Sequence, residues 1–333
     1  MAFVRALSAA LCLLLSTTTA AAATQRDSKP LRDIPHIGLG TWIPERSKVS
    51  HVVQYALDSG YTHIDDAHIY DNEDLTGKGI AASKIPREDI WVTSKLWNDQ
   101  HRPGDALAAI KRSLSDLGLE YLDLYLMHWP VAFVPGEGTK LDEETSIFDT
   151  WRAMEDFVRA GLTRHIGISN FAMKDVEAIL SMCTICPYAH EFETHPYLQQ
   201  QAFVDYNLGK GIKVIAYSPL ANTNPTYGSG MPPILEDSFW KSLAHDKNAT
   251  VAQTILAWGL QRGTIVIPKS VHEKYIDENF RAQEITFTKE EMNAIRAQDK
   301  KARMNNPSTI WGLKLFADLD ASMQLNGGKS KEL

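Results

Sequence analysis

Cysteine is scarce in this chain, with three residues among 333, too few for a disulfide framework to hold it together. No block of Lys and Arg interrupts a net charge of -7 and a pI near 5.9. That balance argues against nucleic acid or an anionic membrane as the main partner. An apolar run of about eleven residues at 6–16, ALSAALCLLLS, is shorter than the roughly 20 that a membrane helix needs. Neither H-x-H nor H-E-x-x-H occurs, and no G-x-G-x-x-G follows a strand-like run. What the chain does have is length and apolar content, 44% hydrophobic. That suffices for one domain of α/β-barrel size or two ordinary ones.

The first residues read as a targeting segment. MAFVR carries one Arg, the apolar stretch follows, and TTTAAAATQ ends in small residues, the layout of a secretory signal peptide over 1–23. Cleavage is expected near Ala20 to Ala23; a disordered Ala/Thr-rich extension is the alternative. The same pathway would use the sequon Asn248-Ala249-Thr250 and suits an ER-lumenal or extracellular protein, with cytoplasm as the alternative. The polar tail 326–333 ends in KSKEL, a loose likeness to an ER-retention signal. Cys12 would leave with the signal peptide. Cys183 and Cys186, in CTIC, could then close a small disulfide loop or remain a thiol pair.

Eight strand-like runs recur along the chain, at 36–42, 62–68, 89–97, 121–129, 164–171, 189–197, 213–220 and 264–270. Helical stretches lie between them. Segment 45–60 sets Val49, Val52, Val53, Ala56 and Leu57 on one face before Gly60. Segment 102–118 has Pro103 at its start and Gly118 at its end, and Thr250 with Gln253 are spaced as a capping box. Strands apolar enough to be buried on both faces, alternating with helices, predict an α/β fold: a single (β/α)8 TIM barrel over 30–325. Its long loops, 130–146 and 221–240, would stand on the C-terminal rim, where barrel active sites sit.

Strand ends therefore carry the chemistry. YTHIDDAHIY at 61–70 could be a metal site or a proton-transfer site. A metal-dependent hydrolase would draw on His63, Asp65, His128 and His195, but Lys95 near Asp65 would compete with the cation. The proton reading pairs Asp65 with Lys95 and places Tyr70 near that ammonium. Its phenol is then expected below its usual pKa of about 10, a usable general acid. His128 could donate a hydrogen bond to a substrate carbonyl in an apolar pocket lined by Trp42 and Trp129. His63 and His68 are expected to be structural.

These stretches resemble the aldo-keto reductases. GYTHIDDAHIYDNE (60–73) matches the block that carries the family's catalytic Asp and Tyr, here Asp65 and Tyr70; VTSKLW supplies Lys95 and LYLMHWP supplies His128. GISNF is similar to the segment that holds the nicotinamide carboxamide, Ser169 and Asn170. AYSPL is similar to the one whose Tyr217 stacks on the ring, and IPKS to the 2'-phosphate site, Lys269 and Ser270. The resemblance further implies cofactor contacts at Thr41, Trp42, Asp65, Glu191, Ser218, Leu220, Lys274, Glu278 and Asn279. It implies NADPH-dependent reduction of an aldehyde or ketone, with NADH as a possible substitute, by a monomer or weak dimer. A nucleotide-holding barrel without turnover is the rival class. Three positions depart from the family: Tyr275 beside Lys274 where an Arg is common, Glu191 where Gln is usual, and Asp66 in place of a small residue.

Overall fold

The computed structural model describes residues 32–319, except Pro44 and 224–229; the expected signal peptide and polar tail lie outside the described residues. One compact unit of the chain begins at Asp33. Eight strands form one sheet in sequence order: β1 (Leu39–Gly40), β2 (His63–Asp65), β3 (Trp91–Leu96), β4 (Leu122–Met127), β5 (Thr163–Ser169), β6 (Ala189–Glu193), β7 (Lys213–Tyr217) and β8 (Thr264–Val266). Every neighbouring pair is parallel. The sheet closes on itself where Ile37 bridges Val266, with Gly38 N–H donating to Val266 O at 2.9 Å and Gly40 N–H to Pro268 O at 3.1 Å. The fold is a (β/α)8 barrel, as the alternation of runs predicts.

The strands are shorter than the apolar runs that announce them. At β1 the reason is local: a Cβ on Gly40 would meet the Ile267 carbonyl oxygen at 2.9 Å, so only glycine lets the chain approach the far edge and close the barrel. Eleven helices occur among the described residues. Within the repeat stand α1 (Arg46–Asp58), α2 (Glu73–Ala82), α3 (Pro103–Leu117), α4 (Ile147–Arg159), α5 (Met173–Met182) and α6 (Gln201–Gly209). Two helices, α7 (Ser238–Asp246) and α8 (Val251–Gln261), separate β7 from β8, and α9 (Glu273–Phe280), α10 (Lys289–Arg296) and α11 (Ser308–Trp311) follow. α1 buries the five apolar residues its periodicity predicts. Gly118 ends α3 at φ 66°, and the Thr250–Gln253 capping box is formed.

Alternation along the strands divides their side chains into two sets. Ile64, Val92, Leu96, Ile166, Ile168 and Val214 join the helix-facing core, whereas Leu124, Leu126, Ile215 and Ile265 join a second cluster with Trp91. In the same two-residue step as that second set come Asp65, Lys95, Ser169 and Glu191. Polar residues at the upper ends of four strands thus face one another inside the barrel. Cys183 and Cys186, just after α5, are joined by a disulfide.

Candidate active site

Lys95 lies fully buried at the centre of this layer. Its Nζ donates to Asp65 Oδ1 at 2.5 Å and to the backbone oxygen of Asp66 at 2.9 Å, and stands 3.4 Å from Glu191 Oε1. Burial is the largest single influence and lowers its pKa, but Asp65, Glu191 and Tyr70 together outweigh it and hold the ammonium well above its ordinary range. Thr41 secures Asp65 from behind: its hydroxyl and its N–H both donate to the Asp65 backbone oxygen, at 3.1 and 3.0 Å. Asn72 Nδ2 in turn donates to Thr41 O at 2.8 Å.

Tyr70 closes the short 3-10 turn His68–Tyr70 that leaves β2, and Asp71 behind it takes a left-handed φ of 54°. The turn brings the Tyr70 ring 5.3 Å from Lys95 Nζ, 6.2 Å from the Trp42 ring and 6.1 Å from the His128 ring. The expected direction of its pKa is corrected here. Removal from water pushes the phenol well up, and the Lys95 charge pulls it down by less, while Glu191 whenever it is ionised, Asp65 and Asp66 add to the rise. Desolvation wins because the ring is packed on most sides and only one cation opposes several acids. The phenol is therefore held firmly as the protonated acid.

His128 is buried, and burial, with the Lys95 charge second, holds it well below the usual range. It is a neutral imidazole whose Nδ1 lacks a hydrogen-bond partner among the described residues. Around it stands an aromatic wall. Trp97 meets His128 edge-on at 5.2 Å, and Trp311 meets Trp129 at 4.9 Å and Phe133 at 5.2 Å. An acid, a neutral hydrogen-bond donor and an apolar wall meet at one end of the barrel.

The sequence profile of the Aldo/keto reductase family matches residues 36–300. The chain belongs to the aldo/keto reductases. Relatives agree across nearly the whole unit. An uncharacterized oxidoreductase of Schizosaccharomyces pombe is 43% identical over 297 residues, 86% of this chain and 92% of that one. Aldo-keto reductase family 1 member A1 of Sus scrofa is 40% identical over 300 residues, with the same coverage of 86% and 92%. The solved structure of an aldose reductase from Giardia lamblia superposes with a TM-score of 0.78 at 37% identity, covering 85% of this chain and 98% of that one. Membership makes the chain an oxidoreductase of a family that acts on carbonyl groups with nicotinamide cofactors.

In this aldo/keto reductase the residues expected at a nicotinamide are brought together. Asn170, at φ 61°, donates from Nδ2 to His128 O and to Ser169 Oγ, both at 3.0 Å, and accepts the Tyr217 hydroxyl on Oδ1 at 2.7 Å. A carboxamide would share those atoms. Ser218 follows in a left-handed turn at φ 45°, and Leu220 packs against the cores on either side. At the end of β8, Lys269 Nζ lies over the Trp42 ring at 5.8 Å. Burial lowers its pKa, and no carboxylate pairs with it among the described residues. Ser270 Oγ accepts from His272 N–H at 3.0 Å just before α9. A half-buried, unneutralised cation beside a helix start fits a phosphate group. Lys274 and Glu278 pair across one turn of α9 at 3.7 Å, Asn279 is buried, and Tyr275 is 50% exposed.

The ligands imagined for a metal hydrolase are committed elsewhere. His63 Nδ1 contacts Pro35 O at 3.2 Å, and His195 Nε2 contacts Glu193 Oε1 at 2.8 Å. His68 pairs with Glu73 at 3.2 Å. Among the described residues, only His68, Glu73 and Asp116 form a group of three whose ligand atoms all lie within 4.8 Å of one another. Reading by strand end missed Trp97 and Phe133 as parts of the wall. The usable signal for Trp97 was its place one residue past β3, level with His128 after β4.

Proposed function

We propose that the chain reduces aldehydes or ketones to alcohols with NADPH. The observation that carries this is the convergence of the protonated Tyr70 phenol, the Lys95 ammonium and the neutral His128 imidazole at one end of the barrel beside an aromatic wall. A bound NADPH would supply the hydride. His128, unable to charge in its buried setting, would hold a substrate carbonyl by a neutral hydrogen bond and leave the full proton transfer to Tyr70. As the alkoxide forms, Tyr70 gives up its proton and Lys95 stabilises the resulting phenolate. Thr41 and Asn72 hold the Asp65 strand end so that the ammonium stays aimed. Trp42, Trp97, Trp129 and Trp311 would keep water from the reacting carbon. Lys269 with Ser270 would take the 2'-phosphate, with Tyr275 in the usual Arg position allowing some use of NADH.

The substrate class that fits an aromatic wall with few charges is a small aldehyde, sugar-derived ones included; the printed name of the Giardia neighbour, an aldose reductase, supports testing aldoses. Purified protein offered a panel of sugars and simple aldehydes should oxidise NADPH, and NADH more slowly. No carbonyl-dependent oxidation of either cofactor would leave only a nucleotide-holding barrel. We also propose that the protein enters the secretory pathway. The signal-like 1–23, an exposed sequon at Asn248 and the Cys183–Cys186 disulfide support it.

A further inference from the structure

Two carboxyl groups share one ammonium inside the barrel. Asp65 Oδ1 and Glu191 Oε1 stand 2.5 and 3.4 Å from Lys95 Nζ, and the three side chains are 2%, 3% and 0% exposed. The second oxygens, Asp65 Oδ2 and Glu191 Oε2, are both buried and receive a hydrogen bond from no donor among the described residues. Two ionised carboxylates would leave an uncompensated negative charge in the interior and two orphaned acceptors, both costly. A single proton shared by the two carboxyls, which converge on the same Lys95 nitrogen, removes both costs. We propose that Glu191 carries that proton through neutral pH and donates it to the Asp65 carboxylate, making Glu191 a positioning residue for the Lys95–Tyr70 proton site.

The groups that face Glu191 are Asp65 from β2, Lys95 from β3 and Tyr70 from the turn after β2. Burial is the largest influence and holds the Glu191 carboxyl well up; the Asp65 charge adds to it, and Lys95 opposes. The proton sits on Glu191 rather than Asp65 because Asp65 has the shorter contact with the ammonium, which favours its ionised form. Glutamine at this place would also fill the geometry, since its amide can donate to Asp65. It could never ionise. The difference is a site whose charge changes at alkaline pH: once Glu191 loses its proton, its negative charge raises the Tyr70 phenol further and weakens it as an acid. This consequence for catalysis rests on the carbonyl-reductase reading; the shared proton does not.

The test compares the full chain with its Glu191→Gln variant. Glu191 binds its proton more tightly folded than unfolded. The stability this contributes is complete below the unfolded pKa of about 4.3 and is lost as pH rises through the folded value. The wild-type Tm minus the variant Tm should therefore fall steadily as pH is raised from acid to alkaline; a difference independent of pH overturns the proposal. A measurement needing no variant is infrared absorption at neutral pH. A protonated-carboxyl C=O band that shifts on ¹³C labelling of glutamate is expected, and its absence overturns the proposal as well. The wild type is expected to show an alkaline fall in kcat/KM, and the variant to lack it. If the Tm slope and the band appear but no carbonyl compound is reduced, the reductase reading fails and the shared proton stands.

Discussion

The proton site and the aromatic wall are built on opposite principles. Asp65, Lys95 and Glu191 project from three strands of one sheet, fixed by backbone ladders on both sides and buried to a few per cent. Trp97, Trp129, Phe133 and Trp311 come from segments after strands and from a short helix near the end of the described chain. They hold one another by edge-on contacts between 4.9 and 6.4 Å. The first region tolerates no movement, because a displaced buried charge loses its counter-ion. The second can be repacked, since aromatic contacts are worth about 0.5–1.5 kcal/mol each beyond area burial. On the proposed reading, chemistry is placed on the rigid part and substrate choice on the adjustable part.

If that division is right, mutations in the two regions should differ in kind. Lys95→Met should be the most damaging, since it leaves Asp65 without its cation: breaking a buried pair costs about 3–5 kcal/mol, read as a fall in Tm together with loss of turnover. Tyr70→Phe keeps the packing and removes the proton, so turnover should drop by about 10²–10⁴-fold while NADPH binding, followed by fluorescence titration, survives. Near-wild-type kcat in this variant would sink the role of Tyr70.

On the wall, Trp311→Ala removes edge contacts to Trp97, Trp129 and Phe133. Reduction of bulky aldehydes should lose about tenfold in kcat/KM, equivalent to roughly 1.4 kcal/mol, with the smallest aldehydes hardly affected. An equal loss for every substrate would mean that the wall belongs to the chemistry after all.

Asp66 gives a finer test of rigidity. It is fully buried, its Oδ1 accepts the Ala67 N–H at 2.8 Å, and burial, with the Glu73 charge second, pushes its carboxyl up to about 7. A raised folded pKa means that its stability contribution is complete below about 3.9 and disappears as pH rises through about 7. Asp66→Asn should therefore flatten the fall in Tm between pH 5 and 8, and an unchanged slope would place the titration elsewhere. The smallest effect is expected at Asn248, exposed in the turn between α7 and α8. Asn248→Gln should abolish a glycan detected by mass on protein recovered from its native cell, with activity unaltered. Recovery of an unglycosylated chain with an intact N-terminus would contradict secretory entry.

The barrel was legible because its signals are local. Period-two and period-3.6 patterns, Gly118, Pro103 and the Thr250–Gln253 box each act within a few residues of where they stand. The pairing of Asp65 with Lys95 was legible as well, because neighbouring strands in a parallel barrel bring their upper ends side by side. Trp97 and Phe133 were missed as wall residues because the chain segments that orient them carry no period. The phenol of Tyr70 was misjudged in direction for a related reason: sequence names the charges near a group, whereas desolvation depends on how many other side chains crowd it.

Sequence alone determined which residues stand at the strand ends and therefore which acids and cations can meet, since alternation fixes the face on which each side chain emerges. Only the tertiary structure decided their protonation. With one ammonium facing two carboxyls in a space closed to water, the balance of burial against charge depends on distances such as the 2.5 and 3.4 Å at Lys95, which no local pattern encodes.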